Sequence, residues 1–406
     1  MNSEGRASNA SGNISVLKPR AGVFLSKLRG APGGPLEAAG GGVDLSAERR
    51  KTSLEALSQS LAKDVVENPA SPLDQSAADL LIAKAEDILR RLSHEGDQAA
   101  VDGGDIVAME ALIETDGSRP ALFVKHGTFD RADRRLGDWA ERTVFKMDDI
   151  ERAIRSTGRI IKDGDLSESA VFGTAWMIAP MLAATAQHVL EAMSDRVAGT
   201  WRLRPGFKVD FSVEADGTAR AEHQFAVASI ERASPDIIDG KRDFRNLDVA
   251  ILRLSPNETG EPPDQISLAK PSQNPPGVSL LHVVGHPARP STDLKWLVEH
   301  GTPDPKVAIL LSTLEQLLGN VFGVKRWSPG TLEMQAGELA EDVNKWIITH
   351  NATTLAGNSG APVLDLVNFP DRAIGLHFAG VFAQQNYAHR LPAVPTLAGL
   401  QGVRFI

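Results

Sequence analysis

A chain of 406 residues with 42% hydrophobic content can bury a sizeable core, in two domains or in one domain with large extensions. A net charge of −9 and the lack of a Lys/Arg stripe argue against a nucleic-acid partner, and the absence of cysteine excludes disulfides and thiolate chemistry. The first residues lack a signal-peptide pattern and no apolar run approaches the ~20 residues of a membrane span, so a cytoplasmic location without a membrane partner is expected.

Residues 1–45 are rich in Gly, Ser, Ala and Pro and are expected not to fold alone. Their one apolar cluster, Val16, Val23, Phe24, Leu25 and Leu28, is either part of a tail or a short docking segment. From Ser46 to Val66, Leu54, Leu57, Leu61 and Val65 recur at helical spacing, and Asn68-Pro69 ends the pattern. A second helix is predicted from Gln75 to Leu92, with Leu80, Leu81, Ala85, Ile88, Leu89 and Leu92 on one face and Asp74 or Ser76 as its cap. Two such helices pack on each other and on the rest of the chain, or on a regulatory protein partner. Ile106–Ile113 reads as helical, Ala121–Val124 as a strand and Gly127-Thr128 as a turn. A helix from Met147 to Ser156 then leads into a strand at Gly158–Ile161. The expected organisation is a tail at 1–45, a helical extension at 46–100, an accessory module or linker at 101–156 and the main domain at 157–406.

Phe172–Val189 reads as a strand, a Pro180 turn and a second strand with His188 at its end. Phe207, Val209, Phe211 and Val213 alternate with polar residues, the period of a half-buried strand, and Phe225, Val227 and Ile230 continue the theme. Val278–Gly285 is a buried strand turned by His286-Pro287, and Ala361–Val367 with Ala373–Phe378 forms a hairpin. Many short strands with regular turns indicate an all-β barrel or sandwich. Residues 288–345 interrupt this pattern. Val307, Ile309, Leu310, Leu311, Leu314, Leu317 and Leu318 predict an inserted helix there, followed by Lys325–Gly330, and the insertion would serve as a lid, an exosite or a regulatory contact.

Gly357-Asn358-Ser359-Gly360 places a hydroxyl between two glycines ahead of an apolar run. Such a turn can aim backbone N–H groups at a reacting oxygen, although Gly/Asn/Ser runs are also ordinary turn chemistry. His188 could serve as the base that an isolated serine hydroxyl needs. Asp248, opening the apolar run Val249–Leu254, could fix the tautomer of that histidine. Each residue taken alone is equally well a turn or core residue. The order His188, Asp248, Ser359 is that of one of the three known chain orders of the Ser-His-Asp arrangement.

Gly173-Thr174 with Thr185-Ala186-Gln187-His188, Asp248–Leu252 and Gly357–Gly360 together resemble the trypsin-like, chymotrypsin-fold serine proteases, in the bacterial cysteine-free branch of glutamyl endopeptidases and high-temperature-requirement proteases. The resemblance covers about residues 157–400. It implies a mainly β protein, a double six-stranded β-barrel, here with an N-terminal helical extension and a helical insertion in the second barrel. It implies a serine endopeptidase acting on a protein or peptide, without a cofactor. His188, Asp248 and Ser359 would form the triad, the N–H groups of Gly357 and Ser359 the oxyanion hole, and Thr354, His377 and Gly380 the substrate pocket. A hydroxyl and a histidine at these positions imply an acidic side chain before the cut, as in the glutamyl enzymes, although Gly-Leu-His is shared by relatives of mixed preference. Asn358 stands where zymogen-activated relatives carry an Asp, and an amide cannot form the ion pair with a freed α-amino group. A non-catalytic scaffold and a partner-gated protease with one dedicated substrate are the alternatives. No metal constellation is expected, because His282 and His286, four apart on a strand and turn, need not share a face.

Overall fold

The computed structural model describes residues 45–67, 75–115, 117–164, 171–238, 244–270, 279–288, 305–355, 357–381 and 385–406 except 395, 396 and 398, with two paired two-residue strands at Glu37–Ala38 and Gly42–Val43. The apolar cluster of the tail and residues 289–304 of the insertion lie outside the described residues.

Three helices come first: α1 (Ala47–Glu67), α2 (Gln75–Glu95) and α3 (Gly103–Thr115). Ser46 caps α1 by accepting the Arg49 N–H. The start of α3 is a reciprocal box, in which each of Asp102 and Asp105 accepts the other's backbone N–H at 2.8 Å. Asp105 also pairs with Lys84 at 2.9 Å, tying α3 to α2. The apolar faces of these helices, from Leu57 to Ile113, close on one core with Leu310, Leu314, Leu317 and Leu318. Those leucines come from α7 (Pro305–Leu317) and the turn after it, so the inserted helix completes a four-helix cluster with the N-terminal ones.

A hairpin, β1 (Leu122–Lys125) with β2 (Thr128–Phe129), and helices α4 (Trp139–Thr143) and α5 (Met147–Arg155) follow. Trp139 is fully buried and satisfies its ring N–H on the Ser118 carbonyl at 3.0 Å. Phe129 stacks on Trp327 with ring centroids 4.4 Å apart.

The first barrel closes in the order β8-β9-β10-β5-β4-β3, all antiparallel. Its strands are β3 (Thr157–Lys162), β4 (Gly173–Ala179), β5 (Leu182–Thr185), β8 (Phe207–Asp210), β9 (Gln224–Arg232) and β10 (Ala250–Leu254). Between them lie α6 (Gln187–Met193) and the side hairpin β6 (Ser194–Val197) with β7 (Thr200–Leu203). A short strand β11 (Ser267–Leu268) leads out, pairing parallel with β16.

The second barrel uses β12 (Leu280–Gly285), β13 (Arg326–Met334), β14 (Ile347–His350), β15 (Pro362–Asp365), β16 (Arg372–Val381) and β17 (Gln385–His389). The order β12-β15-β16-β17-β14-β13 closes through pairing of β12 with β13. The mainly β, double-barrel fold with helices at the N-terminus and in the second barrel is thus realised.

Two details differ from the sequence reading. Lys325–Gly330 does not extend the insertion, because Arg326–Met334 is a barrel strand. Pro329 is tolerated there because along the far edge β1 pairs only with Arg326 and Trp327 and β14 only with Leu332 and Met334, so no ladder contact on that edge needs its missing N–H. The alternation through Val213 also overstates a strand, which ends at Asp210. The Asp210 carboxylate accepts both the N–H and the hydroxyl of Ser212 and turns the chain.

Candidate active site

His188 sits in the first turn of α6, three residues past the end of β5, rather than at a strand end. Asp248 lies two residues before β10, which pairs with β5, so one ladder carries both residues to the same rim. The Asp248 carboxylate is buried and grips the histidine twice. Oδ2 pairs with His188 Nδ1 at 2.7 Å and Oδ1 accepts the His188 backbone N–H at 2.9 Å. Burial alone would lower the His188 pKa, but the bonded carboxylate outweighs it and the net shift is upward.

Ser359 reaches this rim from the second barrel, on the loop before β15. Thr174 holds that loop from the first barrel. Its N–H donates to the Ser359 carbonyl at 2.8 Å, and its hydroxyl donates to the Gly357 carbonyl at 2.8 Å while accepting the His286 N–H at 3.1 Å. Gly360, at φ +93°, has no room for a side chain: a Cβ would lie 2.2 Å from the Thr174 carbonyl and 3.0 Å from the Ala186 nitrogen. Gly173 is wedged in the same way between Val189 and the Ser359 carbonyl. The Ser359 loop is therefore packed directly on the segments flanking His188.

Gly357, at φ +88°, is pressed against the His286 carbonyl and the Ala288 nitrogen. The N–H groups of Asn358 and Gly360 are used, by the Leu355 and His377 carbonyls at 3.1 and 2.7 Å. Among the described residues no acceptor takes the N–H of Gly357 or of Ser359. Asn358 is buried, its side-chain oxygen lying against the bare Cα of Gly285.

His377 and Gly380 lie on β16, and Thr354 reaches β17 through Asn386. The Thr354 hydroxyl donates to Asn386 Oδ1 at 2.7 Å, and Gly380 lies opposite Asn386 in the strand register. His377 is buried and meets His350 Nε2 through Nδ1 at 3.3 Å. Burial, and then the positive charge that His188 can carry, push the His377 imidazole down to about 3 against the pull of Asp248. His377 is neutral at ordinary pH.

The sequence reading did not assign roles to Thr174, Asn386 or His389. Thr174 was visible within the Gly173-Thr174 motif; the other two had no local signal. His282 accepts the Trp327 ring N–H at 3.1 Å and contacts the Pro370 carbonyl at 3.2 Å. Among the described residues no group of three or more His, Asp or Glu is placed to hold a metal ion.

Two antiparallel barrels with a His-Asp pair and a glycine-flanked serine at their junction define a serine peptidase of the two-barrel class. Residues 173–369 match the trypsin-like peptidase domain family. The chain is a serine protease, a hydrolase. It is 29% identical over 361 residues to a protein named as a probable serine protease in Lysobacter enzymogenes, spanning 84% of this chain and 89% of that one. Similar solved structures include the active form of the Rv3671c protease of M. tuberculosis (17% identity, 64% of this chain and 86% of that one, TM-score 0.36). The VesB protease of Vibrio cholerae is another (14% identity, 59% of this chain and 61% of that one, TM-score 0.38).

Proposed function

We propose that this chain is a serine endopeptidase that cleaves peptide bonds through an acyl-enzyme on Ser359. The observation that carries the reading is the two-point grip of Asp248 on His188, which commits Nδ1 and leaves Nε2 as the proton acceptor. His188 takes the proton of the Ser359 hydroxyl as its oxygen adds to the scissile carbonyl. The oxyanion is received by the N–H groups of Gly357 and Ser359, and such donors are each worth roughly 3–4 kcal/mol of transition-state stabilisation. The imidazolium, steadied by Asp248, then protonates the leaving amine, and a water activated by the same base releases the acyl group. The peptidase occupies residues 157–406, with 46–100 as a helical extension and 101–156 as an accessory module. The lack of cysteine suits a reducing compartment such as the cytoplasm. Among the described residues no helix is long and apolar enough to cross a membrane.

A fluorophosphonate probe tests the reading. Folded wild type is expected to label stoichiometrically, and Ser359→Ala to fold and remain unlabelled. Equal labelling of the two would remove Ser359 from the nucleophile's role, and a folded wild type that stays unlabelled would favour a scaffold.

Thr354, His377, Gly380 and Asn386 form the proposed pocket for the side chain before the cut. It contains no carboxylate to favour Lys or Arg, and neutral His377 brings no positive charge. A neutral hydrogen bond to a carboxylate lacks full charge pairing, so the preference for Glu over Gln is expected to stay below about tenfold. Matched peptides differing only at that residue, assayed for kcat/KM at pH 7, check this; a preference of a hundredfold or more would contradict a neutral pocket.

A further inference from the structure

The loop that carries Ser359 is braced from outside both barrels. After β14 the chain runs through Asn351, Ala352, Thr353, Thr354 and Leu355 before reaching Gly357. Inside the second barrel, Asn351 is fixed to Thr331: its side-chain oxygen accepts the Thr331 N–H at 2.8 Å and its amide donates to the Thr331 hydroxyl at 2.7 Å. Ala352 packs so closely on Gly330 that a Cβ there would lie 2.5 Å from the Ala352 nitrogen.

The outer side of the same segment is held by residues that precede the barrels. Arg119, in the turn between α3 and β1, is buried with 1% of its surface exposed. Its Nη1 donates to the Asn351 carbonyl at 3.0 Å, and its own carbonyl accepts the Thr353 hydroxyl at 2.6 Å. Two residues further on, Leu355 packs on the four-helix core built by α1, α2, α3 and α7. Leu355 in turn offers its carbonyl to the Asn358 N–H at 3.1 Å, inside the nucleophile turn. The arginine turn is itself anchored, because Glu114 at the end of α3 accepts the Ala121 N–H at 3.2 Å and pairs with Arg135 at 3.0 Å.

We propose that Arg119 is a positioning residue, and that it and the helical cluster hold residues 351–357 in the conformation that presents the Gly357 and Ser359 N–H groups. In this chain Asn358 cannot take an ion pair with a freed α-amino group, so the order of the loop must come from other contacts. The contacts of Arg119, Thr353 and Leu355 described above supply it. The helices ahead of the barrels are then part of the active machine, and a loop freed from them loses the oxyanion geometry while the barrels stay folded. The inference rests on the peptidase reading for its kinetic consequence, but not for its structural one.

The test uses the full chain and two substitutions. Thr353→Val removes one hydroxyl donor at nearly constant volume, and Arg119→Ala removes the brace. Thr353→Val is expected to lower kcat by roughly tenfold with KM changed less than about twofold, and Arg119→Ala by roughly a hundredfold, towards the cost of losing an oxyanion donor outright. A peptide boronate, which mimics the tetrahedral oxyanion, should lose affinity by the same factors as kcat. In the Ser359→Ala background, hydrogen exchange across 351–360 should quicken in both variants while exchange in β3–β5 does not. Unchanged kcat and unchanged exchange in Thr353→Val would overturn the proposal, and this variant decides the matter if Arg119→Ala does not fold. Faster exchange across 351–360 in a protein whose wild type fails to label would uphold the brace and sink the peptidase reading instead.

Discussion

Asp248→Asn is expected to lower kcat by roughly 10⁴-fold while the chain remains folded. The two carboxylate oxygens accept two different donors, the backbone N–H of His188 at 2.9 Å and the ring Nδ1 at 2.7 Å. An amide has the same shape but one acceptor and one donor end. The backbone N–H cannot change its role, so the amide oxygen must stay with it. The NH2 group then faces Nδ1, which has to become an acceptor, and the ring proton moves to Nε2. A protonated Nε2 cannot take the proton of Ser359. The charge is lost as well. In the wild type the carboxylate outweighs burial and raises the His188 pKa, so kcat/KM should climb with pH through a midpoint above the ordinary imidazole value of 6.5. Without the carboxylate, burial prevails and the residual activity should rise through a lower midpoint. Rate profiles between pH 5 and 9 on both proteins, with circular dichroism to show the fold, are the check. A variant within tenfold of wild type would mean that Asp248 does not set the tautomer.

The His188–Asp248 pair, the glycine-flanked Ser359 and most barrel strands are legible in the sequence because their signals are local. A hydroxyl between glycines, a period-two alternation and an aspartate opening an apolar run are each contained in a few residues. What escaped depends on distant partners. Pro329-Gly330 has the composition of a turn, yet it lies within a barrel strand because Gly330 admits Ala352 and because that edge at Pro329 has no ladder partner. The apolar run up to Val189 puts His188 on a strand end, but β5 stops at Thr185, where pairing with β10 stops, and Gln187 starts a helix. Asn386 shows its role through Thr354, and Arg119 through Asn351 and Thr353, more than 230 residues away from it. The helical content of the insertion was legible from its leucines, whereas their partners in α1–α3 could not be read from spacing alone. In each case the missing information was tertiary, not a misread propensity.

The second large effect is expected at His389, a residue of β17 that supports Asp248 of the proposed triad from behind. Its Nε2 accepts the backbone N–H of Asp248 at 2.9 Å, across 141 residues of sequence. The ring is fully buried and stacked on Phe378, with centroids 4.2 Å apart and planes 20° apart. An accepting Nε2 requires the neutral form with its proton on Nδ1, and among the described residues Nδ1 has no hydrogen-bond partner. A buried donor left unpaired costs about 1–3 kcal/mol. The position keeps that cost and in return satisfies the donor that fixes Asp248. His389→Leu leaves the Asp248 N–H without an acceptor, so Asp248 shifts and kcat should fall by roughly 10- to 100-fold. His389→Gln can place its amide oxygen where Nε2 stood and should stay within a few fold of wild type. Burial pushes the His389 imidazole down to about 4, with Asp248 and Asp342 opposing. The unfolded chain therefore binds this proton first. The stability associated with neutral His389 is fully present above about pH 6.5 and is lost as pH falls towards 4. Either substitution should flatten the pH dependence of unfolding free energy in that window by one proton, roughly 1.4 kcal/mol per pH unit at most. Denaturant unfolding at pH 7.0, 5.5 and 4.5, beside kcat at pH 8, separates the outcomes. A leucine variant with wild-type kcat would make His389 a core residue with no part in positioning Asp248, and a glutamine variant as slow as the leucine one would show that the ring's packing, not its acceptor, is what the triad depends on.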